Sequence, residues 1–193
     1  MLMKKAYIFL ADGFEEIEAL ATVDILKRAG IHTTTVSINP TLTVNGAHGV
    51  PVIADTLVNE VFPEPSHWLI LPGGMPGATN LAACEPLTAM LTAHHAQGSH
   101  IAAICASPAV VLSPLGILAD KEATCYPGFE SSMKCAKVGC TPVVVDKNII
   151  TANGPGNTFA FALTIVASAV NEAKAREVAE GMLIYTPQQD YNF

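Results

Sequence analysis

The sequence predicts a doubly wound α/β sandwich on a mostly parallel sheet, and three observations predict it. Short apolar runs at Lys5–Ala11, Trp68–Leu71 and His100–Ile104 lack the polar alternation of a one-sided sheet, as strands buried on both faces do. Helical stretches separate most of these runs, which is the β-α-β pattern of a sheet covered on both sides. The chain has 193 residues, half of them hydrophobic and only 14% charged, enough for a substantial core and for a subunit interface.

The elements follow in order. Lys5–Ala11 is a strand, and Asp12 is placed to cap a helix, with Glu15 three positions on completing a capping box. That helix runs from about Phe14 to Arg28 and stops at Gly30. His32–Ile38, rich in Thr and Val, is the second strand, parallel to the first with a right-handed crossover. Pro40–Asp55, punctuated by Asn45-Gly46 and Gly49, reads as a hairpin excursion, and residues 62–66 as a loop. Trp68–Leu71 is the third strand, closed by Pro72-Gly73-Gly74, and a helix covers roughly Asn80–Gln97. His100–Ile104 is a buried strand ending at Cys105. Ser107 then suits an N-cap and Pro108 the first helical position. Glu122–Tyr126 is a further strand, and Thr141–Ala152 forms two segments about Asp146-Lys147-Asn148. The tight loop Asn153-Gly154-Pro155-Gly156 leads into helices at Thr158–Val170 and Glu172–Ile184, and Thr186–Phe193 is a loose polar and aromatic tail. No linker, repeat or low-complexity segment divides the chain, so residues 1–193 are read as one domain.

Composition narrows the function. The net charge is −7 with no basic cluster, which argues against nucleic acid as a partner. No apolar run approaches a membrane span. The N-terminal run ends in Asp12, Glu15 and Glu16 with no small-residue cleavage site, so it reads as a strand and the protein as cytoplasmic. Cys84, Cys105, Cys125, Cys135 and Cys140 are odd in number and irregularly spaced, as reduced thiols are. Neither a C-x-x-C nor a His/Cys pair of zinc spacing occurs, so no metal is expected.

In doubly wound sheets the site lies at the carboxyl ends of the strands. This brings together four loops: Ala11-Asp12-Gly13, Pro72-Gly73-Gly74, Cys105-Ala106 and Asn153-Gly154-Pro155. Cys105 has two readings. Free cysteine is often a buried structural residue, but a thiol at a strand-to-helix turn has its thiolate favoured by helix N–H groups. The other four cysteines lack that turn and read as structural. Glu18 sits on the apolar line Phe14, Glu18, Ala21, Ile25, where it either escapes to solvent or is buried and protonated, able to donate a proton to Cys105 or substrate. Leu71–Gly77 lacks dinucleotide and Walker spacing, so no nucleotide cofactor is expected. It is either a plain turn or a source of backbone N–H groups, from Gly74 together with Ala106, that stabilise an oxyanion. His32, His48, His67, His94, His95 and His100 all fall away from the predicted strand tips. A partner subunit could bring His48 in, and Tyr126 is the nearest ring.

Taken together, FLADGFEEIEA, VDILKRAGI, LPGGMPGATNL, IAAICASPAVVL and NGPGNTFAFAL resemble the ThiJ/PfpI superfamily, and most of all the branch of the Parkinson's-disease-linked deglycase and its bacterial relatives. The resemblance covers essentially the whole chain. It implies a flavodoxin-like sandwich like that of class I glutamine amidotransferases, usually a homodimer. It implies Cys105 as the nucleophile-elbow cysteine, Glu18 as its protonated partner, and backbone stabilisation from Gly74 and Ala106, with Gly73, Tyr126, Asn153, Gly154 and Pro155 around the substrate pocket. The activity implied is a cofactor-independent, cysteine-dependent conversion of methylglyoxal, glyoxal or early glycation adducts. Redox sensing or chaperone activity through Cys105 oxidation is the rival. Three positions depart from relatives. Tyr126 stands where many carry histidine, and Asn153 where arginine is common. Ala106 stands where protease-like members have histidine, which makes a peptidase reading poor. Nothing in these residues supports thiazole monophosphate biosynthesis.

Overall fold

Strand β1 (Lys5–Leu10), helix α1 (Glu16–Arg28) and strand β2 (His32–Ser37) form the first β-α-β unit, with β1 and β2 parallel from Lys5 beside His32 to Leu10 beside Ser37. A computed structural model describes residues 4–135 and 137–184; the predicted tail Thr186–Phe193 lies outside them. After β2 comes the hairpin expected at Pro40–Asp55, made by β3 (Thr43–Asn45) and β4 (Pro51–Ile53) paired antiparallel. Then follow β5 (Thr56–Leu57), β6 (Trp68–Leu71), α2 (Gly77–Ala83), α3 (Glu85–Ala96) and β7 (His100–Ile104). The last third holds β8 (Glu122–Ala123), β9 (Lys137–Val138), β10 (Val143–Asp146), β11 (Ile149–Ala152), α4 (Thr158–Ala169) and α5 (Glu172–Gly181).

Among the described residues the main sheet has the strand order β10-β11-β7-β6-β1-β2-β5. Its pairs are parallel except β10 with β11. Alternate strand residues feed two cores. Ile8, Leu10, Ile70, Ala102 and Ile104 pack with Ile25 and Leu26 of α1 and Phe161 and Ile165 of α4. Phe9, Leu69, Leu71, Ile101 and Ala103 pack with Leu81 of α2 and Leu87 and Leu91 of α3. These strands are apolar at consecutive positions because both faces are covered.

Four local expectations change. Asp12 does not cap α1. Its Oδ1 accepts from the Asn45 N–H at 2.8 Å and from Asn39 Nδ2 at 3.0 Å, tying the start of the helix to the hairpin. Glu15 is the cap instead, Oε2 accepting from the Glu18 N–H at 2.7 Å. The single helix expected at Asn80–Gln97 breaks at Cys84, whose backbone is extended, because Pro86 has no N–H to continue a helical ladder. Glu122–Tyr126 contributes only two strand residues, and these pair with β9 in a small separate sheet. Residues Pro108–Leu112 make a short π-type helical turn, and Ser107 is no cap: its Oγ donates to the Pro72 carbonyl at 2.5 Å.

Candidate active site

Cys105 sits one residue past the tip of β7 with φ of +64°, a left-handed backbone that a side chain with a Cβ avoids unless its surroundings impose it. The surroundings do impose it. The Cys105 N–H donates to the Ala152 carbonyl at 2.8 Å, and its carbonyl accepts from the Tyr126 N–H at 2.7 Å. This sharp strand-to-helix turn lifts Sγ above the sheet, as a nucleophile elbow does. The side chain is 8% exposed.

Beneath it lies Glu18, 1% exposed, so of the two sequence readings the buried one holds. Glu18 Oε2 accepts from the Gly73 N–H at 2.7 Å. Oε1 is buried with no hydrogen-bond partner of good geometry, so it is the oxygen free to hold a proton toward the thiol beside it. Burial, with Glu15 nearby, pushes the Glu18 carboxyl up to about 7, against the bond from Gly73. Burial and then the charge of Glu18 push the Cys105 thiol up to about 12, against the N–H groups of Gly74 and Ala106, which both reach its sulfur. The lowered thiol that a helix end would favour is therefore absent. The following helical turn is five residues long, and desolvation dominates.

Gly73 lets this packing form. A Cβ there would stand 2.6 Å from the Cys105 Cβ and 3.0 Å from Glu18 Oε2. The loop after β1 joins on through the Glu15 N–H to the Gly73 carbonyl at 3.0 Å and the Gly77 N–H to the Gly13 carbonyl at 3.2 Å. All four loops expected at the carboxyl ends thus converge.

Over Cys105 opens a cleft of about 450 Å³, lined by Gly74, Met75, Ala106, Tyr126, Phe129 and Pro155 and, from the start of α1 and the hairpin, by Glu15, Ile17, Ala47 and His48. Of the residues expected around the pocket, Tyr126 and Pro155 line it. Gly73 lies behind Cys105, Gly154 backs the Tyr126 ring, and Asn153 turns its Oδ1 to Asn157 Nδ2 at 2.8 Å instead. The sequence does not place Glu15, Ile17 or Ala47 there, and offers His48 only from a partner. His48 belongs to the same chain as Cys105, carried in by the hairpin, where the sequence places it away from the site or on a partner. Its N–H donates to Glu16 Oε1 at 2.7 Å and its ring Nδ1 meets Glu16 Oε2 at 2.7 Å. The bond and charge of Glu16 raise the pKa of His48. Burial works to raise that of Glu16, but the bonds from His48 leave it below the ordinary carboxylate range.

A model of the DJ-1/PfpI family matches residues 4–168. The chain belongs to the DJ-1/PfpI family. Among its members, Protein DJ-1 homolog B of Arabidopsis thaliana is 37% identical over 185 residues, 95% of this chain. The chain spans 42% of that protein and 49% of the plant's homolog A, about half or less of either. A Caenorhabditis elegans relative called glutathione-independent glyoxalase DJR-1.2 is 35% identical, over 84% of this chain and 87% of its own length. The solved structure of oxidized Toxoplasma gondii DJ-1 superposes with a TM-score of 0.88 at 38% identity, covering 95% of this chain and 99% of that one. The mostly parallel sheet between helix layers is the fold these DJ-1/PfpI structures share.

Proposed function

We propose that this DJ-1/PfpI protein is a cofactor-independent glyoxalase or deglycase. In this reading it converts methylglyoxal, glyoxal or their early glycation adducts to hydroxy acids, with Cys105 as nucleophile and Glu18 as proton carrier. The observation that carries the reading is Cys105 at φ +64°, with its sulfur set between a buried carboxyl and two backbone N–H groups under an open cleft. The name of the nematode relative supports the same chemistry.

The thiol is held as S–H and Glu18 titrates near 7, so above neutrality the carboxylate is the base. As sulfur bonds to the aldehyde carbon, its proton passes to Glu18, and the carbonyl π pair moves onto oxygen. The N–H groups of Gly74 and Ala106 follow the charge from sulfur to that oxygen. Glu18 then protonates it, giving a hemithioacetal. With methylglyoxal, the C1 proton leaves as the C2 oxygen takes one, giving an enediol; a proton then adds at C2 as the C1 hydroxyl loses its own, giving a lactoyl thioester. The aldehyde carbon is oxidised as the ketone is reduced, so no outside redox partner enters. Water then releases lactate, a proton and the free thiol.

The test is lactate formation from methylglyoxal without glutathione. Wild type is expected to turn over and Cys105→Ala to be inactive; equal rates in the two would end the reading.

One observation favours a second reading, oxidation sensing: the related Toxoplasma protein is known in an oxidized form. The Gly74 and Ala106 N–H groups would hold a sulfinate at Cys105. Intact mass after mild peroxide separates the readings, since sensing requires a gain of two oxygens confined to Cys105.

A further inference from the structure

The reaction proposed above has two ends: a buried one, served by Glu18, and a wet one, where water must attack the thioester. Glu18 lies beneath the sulfur and is closed to solvent. His48 lines the same cleft as Cys105, and its side chain is 71% exposed. We propose that His48 is the catalytic base of the deacylation step and that Glu16 is its positioning residue.

The geometry resembles a carboxylate–histidine pair in a hydrolase. Glu16 grips the residue at two points, the backbone N–H and ring Nδ1, both at 2.7 Å. With Nδ1 donating to the carboxylate, Nε2 is the nitrogen left to take a proton, and the ring cannot turn away without losing that bond. The fold builds this wall for close approach. A Cβ on Gly46 would fall 2.2 Å from Glu16 Oε1, so a side chain there would push the Glu16 carboxylate off its place beside His48. The Gly13 N–H to the Asn45 carbonyl at 2.7 Å and the Ala47 N–H to the Phe14 carbonyl at 2.8 Å stitch the two segments together. The charged and titratable groups around His48 are Glu15, the cap of α1, and Glu16 in its first turn, with Cys105 and Tyr126 lining the same cleft.

The step balances as follows. His48 Nε2 takes a proton from water as the water oxygen bonds to the thioester carbon. The carbonyl pair moves to oxygen and returns, the C–S bond breaks, and its electrons leave on Cys105 Sγ. Sulfur recovers a proton from Glu18 or solvent, and His48 passes its own to solvent.

This inference deepens the glyoxalase reading and rests on its acyl-thioester stage, but deacylation can be measured without methylglyoxal. The full chain is acylated with p-nitrophenyl acetate, and loss of the acetyl group from the Cys105 peptide is followed by mass spectrometry across pH. In wild type the rate is expected to rise with pH as His48 loses its proton, with a midpoint above the ordinary histidine value. In His48→Gln the rate should fall on the order of 10²-fold and lose that limb. In Glu16→Gln the limb should move to lower pH, because the carboxylate that holds the proton on His48 is gone. Wild-type rates in His48→Gln, an unmoved limb in Glu16→Gln, or failure of Cys105 to accept the acetyl group would each overturn the assignment. A protein that deacylates through His48 yet makes no lactate from methylglyoxal would overturn the glyoxalase reading instead. One that makes lactate but deacylates independently of His48 would overturn only the role of His48.

Discussion

At their carboxyl ends β6 and β7 lead into Gly73 and Cys105, which close over Glu18. At their amino ends the same two strands begin at Trp68 and His100, beside His67 and His94. Both ends bury titratable groups, with opposite effects. Burial raises an acid and lowers a base, because it disfavours whichever form is charged. Glu18 goes up to about 7, whereas burial lowers His67, His94 and His100 from their ordinary value of 6.5. The histidines are packed against rings and backbone. His100 stacks on Trp68 with ring centroids 4.4 Å apart, His67 packs edge-on against Tyr7 at 5.7 Å, and His94 Nε2 bonds the His67 carbonyl at 2.9 Å. Glu18 keeps Oε1 buried without a partner of good geometry, as His100 does its Nδ1. What separates the ends is that the Glu18 carboxyl stands beside the Cys105 thiol under an open cleft, whereas the His100 ring is stacked on Trp68.

Glu18→Gln breaks this comparison hardest. Lactate formation should fall on the order of 10²-fold, since the amide carries no proton between thiol and substrate. A raised acid contributes stability that is fully present below its unfolded pKa of 4.5 and is lost as pH rises through about 7. The variant should therefore gain on wild type by about 3 kcal/mol in urea unfolding between about pH 5 and about pH 8. Parallel curves would mean that Glu18 is not a buried acid.

Two glycines test the packing at each end. Gly73→Ala drives a methyl into Cys105 and the Ala106 N–H, and should cost about 2–3 kcal/mol together with reaction at the thiol. Gly98, just before β7, has φ of +69° and nothing within 4 Å of where its Cβ would stand. Gly98→Ala should cost only about 1 kcal/mol, from the left-handed backbone, and leave Cys105 alkylation unchanged. Equal losses from the two would refute the difference in packing.

The smallest effect concerns acid. A lowered histidine contributes stability that is full above its unfolded value of 6.5 and is lost as pH falls through its folded pKa. His100→Phe keeps a ring on Trp68 and removes one such group, so its urea midpoint should drop less than that of wild type on going from neutral to mildly acid pH. An equal or larger drop would show that His100 is not held neutral.

Much of this was legible in the chain. The β-α-β order, the two-faced strands and the turn at Cys105 are local patterns, written in runs such as WLIL and HIAAI and in Pro108 shortly after the cysteine. Glu18 was legible as a carboxylate on an apolar stripe. Asp12 was misread because Glu15 competes for the same cap, and no local rule ranks them once the hairpin offers Asp12 the Asn45 N–H. The place of His48 in the cleft of its own chain was hidden for the same reason. His48 lies 32 residues from Glu16, and nothing between Asn45-Gly46 and Gly49 says where the hairpin docks.

The sequence by itself determined the alternation of strands and helices in the main sheet and that Cys105 stands at a strand tip, because hydrophobic period, proline and glycine act over a few residues. Only the tertiary structure decided what surrounds the thiol. Gly73, Glu18 and His48 arrive from three separate segments, and their distances, the burial that raises both the carboxyl and the thiol, and the cleft between hairpin and loops exist only once those segments pack.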